Sequence, residues 1–282
     1  MKWTDNKDAA DRLRQEELRA AGELPSHIAV IMDGNGRWAR ERGRNRIEGH
    51  RHGVDSVRDI VRSCGQLDIG YLTLYAFSTE NWKRPKSEVG LLMELLLHYL
   101  RAEMKELKAN NVRLNAIGQL NALPKPVARQ LHESIEELSS NTGLTLTLAL
   151  SYSGRWDILR AVQTLALDVR RGTLSPEDIT EEKFRSYMTT HDLPDPDLMI
   201  RTSGEMRLSN FLLWEMAYAE IYIAPVYWPE FNRSHLYDAL HDYLGRERRF
   251  GKTSDQLLDN DPQPTQRQYV QKIISALSRK GS

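Results

Sequence analysis

The amino-acid sequence predicts an α/β fold, a single domain with a central, largely parallel six-stranded sheet flanked by helices. Short apolar segments alternate with segments of helical periodicity, which is the pattern of strand–helix–strand units. The short segments are apolar on both faces, as expected for parallel strands that helices cover on both sides. The candidate strands lie at residues 28–33, 70–77, 111–117, 144–151, 197–202 and 221–227.

The segments between the candidate strands have the periodicity of amphipathic helices. A longer helix is predicted over residues 87–110, and Pro124 is suited to begin the next one, which ends near residue 139. Helices are also expected at residues 156–169 and, more briefly, at 181–190. The clearest apolar stripe precedes the second strand and comprises Val54, Val57, Ile60, Val61, Cys64 and Leu67.

Composition favours a cytoplasmic enzyme over a membrane or nucleic-acid-binding protein. The 282 residues include 39 basic and 39 acidic side chains, so no overall positive charge attracts nucleic acid. Apolar runs stay short of the roughly 18 residues of a membrane span, and the N-terminus is charged from Lys2, unlike a signal peptide. The single cysteine, Cys64, excludes an intramolecular disulfide and is expected to be buried and inert.

The chain divides by composition into a catalytic domain over residues 26–252 and two polar ends. Residues 1–25 are charged and weakly periodic, so we expect a frayed helical arm. Residues 253–282 contain a turn-rich stretch and then a short apolar stripe with basic neighbours. A helix docked on the body, or disorder, explains this tail better than a helix that touches lipid.

The most informative segment begins at the fifth candidate strand and ends in a polar turn. Arg201 and Arg207 lie six residues apart there, with Ser209 beside them. Guanidinium groups and backbone amides are typical ligands of a diphosphate. Solvated or salt-bridged arginines are the alternative, because Glu205 is near in sequence. Farther along, Glu220 is a carboxylate of the type that holds Mg²⁺.

A second anion-binding pattern follows the first candidate strand, in Asp33-Gly-Asn-Gly-Arg37. Its glycines let backbone amides turn toward an anion, and the start of a helix adds a favourable field. A tight strand-to-helix turn explains most loops of this composition, and the pattern is not a Walker A loop. A carboxylate beside a diphosphate is reasonable chiefly when a metal ion lies between them. Further basic residues favour the phosphate interpretation, namely Arg40, Arg44, Arg46 and His50.

The loop over residues 76–85 leaves the second strand and is densely polar around Phe77 and Trp82. It suits a lid that excludes water, although taken alone an exposed capping loop is the better explanation. Asp33, Ser78 and Arg201 all lie at the carboxyl ends of candidate strands, and the carboxyl ends of parallel strands meet at one edge of a sheet. We therefore expect two diphosphate sites to converge there and to join two phosphorylated substrates.

Together these motifs resemble those of cis-prenyltransferases of the undecaprenyl diphosphate synthase type. The resemblance extends from about His27 to Gly251, and several separate motifs in the right order make it specific. The segments that carry it are His27–Trp38, Gly49-His50, Tyr75–Pro85, Asn141–Gly143, Tyr152-x-Gly154-Arg-Trp-Asp157, residues 197–220, Trp228-Pro229 and Arg246–Gly251.

The resemblance implies an Mg²⁺-dependent enzyme that condenses isopentenyl diphosphate units onto an allylic diphosphate of farnesyl or geranyl type. The implied product is a long-chain polyprenyl diphosphate, a carrier lipid for cell-wall glycan synthesis. A homodimer is also implied, in the cytoplasm and in peripheral contact with the inner face of the membrane for product release. The alternatives are a short-chain Z-prenyl diphosphate synthase and a non-catalytic subunit of the same fold.

Individual roles follow from the same resemblance. Asp33 and Glu220 are implied to hold Mg²⁺. Asn81 is implied to take part in proton removal, and we expect it to position groups because a neutral amide is a poor base. The allylic diphosphate site is implied to comprise Gly34, Asn35, Gly36, Arg37, Trp38, Arg46 and His50. The lid and substrate pocket would use Ser78, Thr79, Glu80, Trp82 and Arg84. The isopentenyl diphosphate site would use Arg201, Arg207, Leu208 and Ser209.

Product length depends on the apolar channel that the family uses. Ala76 and Leu144 fall at positions that line this channel in the family, and a small residue at 76 leaves room for a long product. The helices at 50–67 and 87–110 are candidate walls, although such stripes usually belong to an ordinary core. Met206 stands where some relatives place a histidine beside the metal, so no ligand role is assigned to it.

Overall fold

Six parallel strands form one sheet within the part of the chain that the computed structural model describes, Trp3 and residues 8–246. The order of the strands is β3-β4-β2-β1-β5-β6. The strands are β1 His27–Ile31, β2 Tyr71–Ser78, β3 Arg113–Ile117, β4 Thr145–Tyr152, β5 Leu198–Arg201 and β6 Glu220–Ile223. The predicted fold class, a single α/β domain with a parallel sheet, is confirmed.

Helices connect the strands from β1 through β5 and cover the sheet, whereas turns connect β5 to β6. Four short 3₁₀ turns accompany them in the described residues, at Thr79–Lys83, Leu120–Ala122, Pro176–Asp178 and Trp228–Glu230. The α-helices are α1 Ala9–Ala21, α2 Asn35–Glu41, α3 Arg46–Gln66, α4 Lys86–Ala102, α5 Met104–Ala109, α6 Lys125–Glu137, α7 Gly154–Arg171, α8 Glu181–Arg185 and α9 Arg233–Leu244. None of the described helices is long and apolar enough to span a membrane.

The register of β1 explains where the functional loops meet. β1 pairs with β2 on one side and β5 on the other, and Ile31 at its end lies opposite Arg201. All three strands run in the same direction, so the loops that follow them emerge at one edge of the sheet. Asp33, Ser78 and Arg201 are therefore brought to the same edge, as the sequence predicts.

The core lies on both faces of the sheet, which is why the central strands are largely apolar. Every residue of β1 and β5 is buried. Cys64 lies on the buried face of α3, and burial raises the pKa of its thiol to about 12. The expectation of a buried cysteine is confirmed.

The N-terminal helix differs from the frayed arm that we expected. Asp8 caps α1 by accepting from the amides of Ala10 and Asp11, and Leu18 is fully buried. The buried face is partly polar, since Gln15 Nε2 donates to the hydroxyl of Tyr237 over 2.8 Å. Apolar periodicity alone underestimates such a face, which explains the difference.

Two further expectations need correction. The long helix over 87–110 is two helices, α4 and α5, which meet at Glu103. Glu103 is buried and accepts from Nε of the half-buried Arg58 over 2.7 Å, so a partly buried ion pair lies at the break. The sequence analysis missed α9 entirely. The predicted tail over 253–282 and the domain boundary at 252 lie outside the described residues.

Candidate active site

Asp33 joins the ends of two neighbouring strands. Its carboxylate Oδ2 accepts from Nη2 of Arg201 over 2.8 Å, and Oδ1 accepts from the amide of Gly34 over 2.7 Å. Its backbone is held as well, because its N–H donates to Oγ1 of Thr202 over 2.9 Å and its carbonyl accepts from the same hydroxyl over 2.7 Å. The position of this carboxylate is therefore fixed before any ligand binds.

The surroundings of Asp33 keep it ionised. Burial alone would raise its pKa, but the hydrogen bond and charge of Arg201, the charge of Arg37 and the amide of Gly34 together outweigh burial. The pKa of Asp33 consequently lies below its ordinary value. A carboxylate in this state is suited to hold a cation at neutral pH.

The loop after Asp33 brings backbone close to the neighbouring elements. Gly34 has φ +100, and a Cβ there would lie 2.6 Å from Cδ1 of Tyr227. A Cβ at Gly36 would lie 2.8 Å from Nε of Arg46, so this glycine lets the guanidinium approach the start of α2. Asn35 is buried and donates from Nδ2 to the carbonyl of Met32 over 3.2 Å.

Cations from three elements surround this loop. Arg37 donates to Oε1 of Glu205 over 2.7 Å and to Oδ1 of Asp33 over 3.2 Å. Arg46 and Arg84 approach the same oxygen of Glu88, at 3.5 Å and 3.1 Å. Such a shared carboxylate leaves each guanidinium with donors free for an anion.

His50 lies on α3 beside these cations. Burial, followed by repulsion from Arg84 and Arg46, lowers the pKa of His50 to about 4. Its buried Nε2 has no hydrogen-bond partner among the residues that the structure describes. An anion that enters this site would supply both a partner and the compensating charge.

The lid segment is anchored rather than freely exposed. The indole Nε1 of Trp82 donates to Oγ of Ser151 over 2.8 Å, and its ring packs against Phe77 with centroids 4.8 Å apart. Ser78 and Asn81 cap the 3₁₀ turn that contains Thr79, and Oδ1 of Asn81 accepts from the Ser78 amide over 3.2 Å. Asn81 is thereby held at the edge of the sheet.

The segment after β5 wraps around the guanidinium of Arg201. This side chain is only 3% exposed, and Nη1 donates to Oγ of Ser209 over 2.7 Å and to the carbonyl of Arg207. Several residues here have positive φ, which costs energy and is common in binding loops. They are Ser203, Ser209, Asn210 and Leu212. Arg207 itself is exposed and pairs with Glu205 over 2.5 Å.

Two cavities open at this edge of the sheet and meet at Asp33. The first has a volume of about 590 Å³ and the second about 550 Å³. Arg201, Ser209, Ser78 and Glu80 line the second cavity only. The residues common to both are Met32, Asp33, Tyr75, Asn81 and Arg84.

The first cavity is polar at one end and apolar at the other. Its polar end is formed by the loop from Asp33 to Arg37 with Arg46 and His50. Its apolar end lies between α3, α4 and the sheet, and the side chains there include Val54, Val57, Leu74, Ala76, Leu92, Leu96 and Leu148. The predicted channel walls on α3 and α4 do line this cavity. Leu144 does not, because it precedes β4 at the opposite edge of the sheet and is buried in the core.

Several expected site residues do not line either cavity. They are Trp38, Thr79, Trp82, Arg207 and Leu208. Trp38 is buried and stacks on His52, with centroids 4.7 Å apart. Leu208 is half-buried against the cluster around Phe211. These side chains border the site and support the residues that line it.

Within one chain the structure places Glu220 away from Asp33, so their joint binding of a metal ion stays a prediction. Glu220 begins β6 opposite Leu198, which in turn lies opposite Ile28 at the amino end of β1. Asp33 lies five residues beyond Ile28, roughly 16 Å away at the rise of a strand. Among the described residues no three His, Cys, Asp or Glu side chains are placed to share a metal ion. Among the described residues, Asp33 is the carboxylate that lines both cavities.

The structure also adds residues that the sequence analysis assigned no role. Tyr75 lines both cavities, its hydroxyl donates to the carbonyl of Tyr152 over 3.1 Å, and its ring stacks on Phe211. Arg155 and Asn210 line the second cavity. Arg155 belongs to the motif Tyr152-x-Gly154-Arg-Trp-Asp157, so the sequence already indicated its importance. The roles of Tyr75 and Asn210 depend on long-range contacts, which the sequence does not show.

In this parallel α/β fold, two cavities lined by cations meet at an ionised carboxylate. Such a site is expected of an enzyme that joins two anionic substrates. Comparison with known proteins agrees with this class. Residues 31–251 match the family described as undecaprenyl diphosphate synthase. The chain belongs to this family and is a prenyltransferase of the polyprenyl diphosphate synthase type, so the resemblance and the expected enzyme class are confirmed.

Individual relatives align with this chain over nearly their whole length. The isoprenyl transferase of Chlorobaculum tepidum is 51% identical over 92% of this chain and 98% of its own. The ditrans,polycis-undecaprenyl-diphosphate synthase of Vibrio vulnificus, described as (2E,6E)-farnesyl-diphosphate specific, is 50% identical over 83% of this chain and 93% of its own.

Solved structures share the fold. Lavandulyl diphosphate synthase from Lavandula x intermedia, in complex with dimethylallyl diphosphate, matches 81% of this chain and 99% of its own at 38% identity, with a TM-score of 0.80. A probable undecaprenyl diphosphate synthase from Campylobacter jejuni matches 82% of this chain and 100% of its own at 36% identity, with a TM-score of 0.67.

Proposed function

We propose that the protein adds isopentenyl diphosphate units to an allylic diphosphate of farnesyl type and makes a long-chain polyprenyl diphosphate with new cis double bonds. The observation that carries the proposal is the meeting of two cavities at Asp33, one of them extended by an apolar channel. One cavity can hold a diphosphate with a growing tail, and the other a second, smaller diphosphate.

The first cavity is assigned to the allylic substrate. The amides of the loop after Asp33, together with Arg37, Arg46 and His50, would bind its diphosphate. Its hydrocarbon tail would lie in the apolar end beside Ala76. This assignment accounts for the division of one cavity into a cationic part and a dry part.

The second cavity is assigned to isopentenyl diphosphate. Arg201 is already oriented there by Asp33 and Ser209, so binding would require little rearrangement. Arg207 lies next to this site on the exposed side and would add charge to it. The two substrates would then face each other across Asp33 and Asn81.

The site suits Mg²⁺ that is bound jointly with substrate. Proteins commonly hold Mg²⁺ with one or two carboxylates, and phosphate oxygens and water complete the octahedron. The single ionised carboxylate of Asp33, beside amides that would hold a diphosphate, fits this pattern. When bound, Mg²⁺ would neutralise charge on the leaving diphosphate.

The residues of the chain would contribute in distinct ways. The C–O bond of the allylic diphosphate breaks, and the cations around the first cavity stabilise the charge on the leaving group. The double bond of isopentenyl diphosphate attacks the allylic carbon, and the proton lost passes to a phosphate oxygen or to water. Asn81 would orient this proton transfer, because its carboxamide is fixed by the Ser78 amide and lines both cavities.

Product length is the finer part of the proposal. The apolar cavity and the small side chain of Ala76 support a long product, as does similarity to a relative described as a polycis-undecaprenyl-diphosphate synthase. Similarity to lavandulyl diphosphate synthase favours the alternative of a short product made from a short primer.

The proposed assembly is a homodimer. Ile221 on the edge strand β6 is 40% exposed, and Tyr218 just before it is 70% exposed, so apolar surface continues along this edge. Light scattering during size-exclusion chromatography tests this proposal, since a monomeric mass would contradict it. We also propose that the protein is cytoplasmic and contacts the membrane when the product is released.

The experiment that tests the function is incubation of the purified protein with farnesyl diphosphate, labelled isopentenyl diphosphate and Mg²⁺, followed by chromatography of the extracted lipids. A ladder that ends at a long polyprenyl diphosphate supports the proposal. One added unit, or activity with dimethylallyl diphosphate alone, supports the short-chain alternative. No incorporation with any primer would contradict both.

A further inference from the structure

Arg155 lies in the first turn of α7 and lines the second cavity with Arg201 and Ser209. Its side chain is exposed to this cavity. Within the described residues its guanidinium forms no ion pair and no hydrogen bond to a protein group. It is therefore a cation at the site whose donors are all open.

The other cations that line the second cavity are already engaged. Arg201 bonds to Asp33 over 2.8 Å and to Ser209 over 2.7 Å. Arg84 pairs with Glu88 over 3.1 Å. A diphosphate carries several negative charges, and a planar guanidinium with free donors suits it well. Arg155 is thus the side chain that can meet an incoming diphosphate without first leaving a partner.

Asn210 ties Arg155 to the segment that carries Ser209. The carbonyl of Asn210 accepts from the amide of Gly154 over 2.7 Å, and its Oδ1 accepts from the amide of Arg155 over 2.9 Å. Its Nδ2 donates to Oε1 of Glu80 in the lid over 2.9 Å. One side chain therefore sets the start of α7, the segment after β5 and the lid relative to one another.

Gly154 makes this close approach feasible. A Cβ at this position would lie 2.8 Å from Cγ of Leu213 and 2.9 Å from its amide nitrogen. The first turn of α7 is consequently pressed against the segment after β5. The position of Arg155 relative to Ser209 is fixed by packing as well as by hydrogen bonds.

We propose that Arg155 is a further substrate-binding residue, which contacts the diphosphate of isopentenyl diphosphate in the second cavity. Asn210 is the positioning residue that holds it there. This assignment rests on the proposed function, which gives the second cavity to isopentenyl diphosphate.

The test is steady-state kinetics of Arg155→Ala with each substrate varied in turn. The KM for isopentenyl diphosphate is expected to increase by about tenfold or more, as for loss of a charge-assisted hydrogen bond. The KM for farnesyl diphosphate and the melting temperature are expected to stay unchanged. Arg155→Lys keeps the charge but loses the planar fork, so its KM should lie between those of the wild type and Arg155→Ala.

Asn210→Gly tests the positioning role. Glycine tolerates the left-handed backbone at this residue, where φ is +63, so the variant removes both side-chain bonds without adding strain. Its KM for isopentenyl diphosphate is expected to increase, and combining it with Arg155→Ala should add little. Full additivity of the two changes would overturn the positioning role.

Arg170→Ala is the matched control. Arg170 is exposed in the last turn of the same helix, so the variant removes the same charge far from the cavity. It should behave as the wild type. An unchanged KM for isopentenyl diphosphate in Arg155→Ala, or an equal increase for both substrates, would overturn the assignment. If the wild-type protein incorporates no isopentenyl diphosphate, the proposed function fails and the assignment fails with it.

Discussion

Arg201 at the end of β5 donates from Nη2 to Oδ2 of Asp33, which lies two residues beyond the end of β1, over 2.8 Å. The pair forms because β1 and β5 are neighbours and Ile31 lies opposite Arg201. A buried guanidinium is costly unless it is paired, and a half-buried carboxylate stays ionised when a cation adjoins it. Each residue thus keeps the other charged at the point where the two cavities meet.

Asp33→Asn is expected to abolish most turnover while the protein stays folded. The substitution preserves shape but removes the charge that would hold a cation and orient Arg201. We expect turnover of isopentenyl diphosphate to fall by about 10³-fold or more, as for other losses of transition-state charge stabilisation. Steady-state incorporation, with the melting temperature measured in parallel, checks this prediction.

Asp192→Asn is the control for that experiment. The Asp192 side chain is 81% exposed and faces His191, away from both cavities. Its turnover should equal that of the wild type. Near-normal turnover in Asp33→Asn would show that the carboxylate has no part in the reaction.

His50 is expected to make the protein less stable in mild acid. Its pKa is lowered from 6.5 to about 4 in the folded protein, so between these values the unfolded chain binds a proton that the folded chain does not. The stability contributed by neutral His50 is therefore fully present above pH 6.5 and is lost as the pH falls toward 4. The loss is on the order of 3 kcal/mol at most.

His50→Gln should weaken this pH dependence. Urea unfolding from pH 4 to 7 would measure the free energy of unfolding of both proteins. Plotted against pH, this free energy should have a steeper slope for the wild type, equivalent to at most one additional proton bound on unfolding. His98→Gln, which removes an exposed imidazole from α4, is the matched control for the loss of a histidine side chain. Parallel curves for the wild type and His50→Gln would contradict the buried, neutral state of His50.

The fold was predictable because the central strands are largely apolar on both faces, as helices on both sides of a parallel sheet require. The burial of the polar face of α1 was not predictable, because Gln15 and Asp11 acquire their partners only in the folded chain. There the hydroxyl of Tyr237 on α9 forms hydrogen bonds with both side chains. The break at Glu103 likewise depends on Arg58, which is distant in sequence. Periodicity records burial of apolar groups, and these features depend on buried polar pairs instead.

The distance between Glu220 and Asp33 within one chain follows from the strand boundaries. In a parallel sheet, a residue just before a strand lies at the opposite edge from residues that follow the other strands. The expected strand at 221–227 already placed Glu220 before its start, so this separation could be read from the sequence. Asp33 follows β1, and Ser78 and Arg201 are the last residues of β2 and β5, so these three residues lie together at the carboxyl end of the sheet.

Gly34→Ala is expected to destabilise the loop that follows Asp33. The position has φ +100, and the added methyl group would lie 2.6 Å from Cδ1 of Tyr227 and 2.8 Å from Oγ of Ser203. We expect a loss of about 1–3 kcal/mol in the free energy of unfolding, and a higher KM for farnesyl diphosphate as the amides shift. Urea unfolding and steady-state kinetics give the two quantities.

Gly43→Ala separates the backbone effect from the contact. Gly43 also has positive φ, +64, but a Cβ there meets no atom within 4 Å. It should lose about 1 kcal/mol from the backbone alone, with no change in KM. Equal effects of the two substitutions would show that the contacts of Gly34 with Tyr227 and Ser203 are unimportant.

Ala76→Leu is expected to shorten the product. Ala76 lines the apolar end of the first cavity, together with Leu74 on the same strand and Leu92 on α4. A larger side chain there removes space that the growing tail would occupy, whereas the diphosphate end, formed by Arg37 and His50, is unchanged. Chromatography of the labelled lipids should therefore show a ladder that stops several units earlier, at a similar initial rate.

Ala102→Leu provides the matched control for the channel. Ala102 is exposed at the end of α4, so the same volume is added outside the cavity. Its ladder should end where the wild-type ladder ends. If Ala76→Leu also gives the wild-type ladder, residue 76 does not limit the product, and the tail must follow a path other than the space between α3 and α4. A lower rate with an unchanged ladder would lead to the same conclusion. A narrowed channel should block the late additions, when the tail is long, more than the early ones.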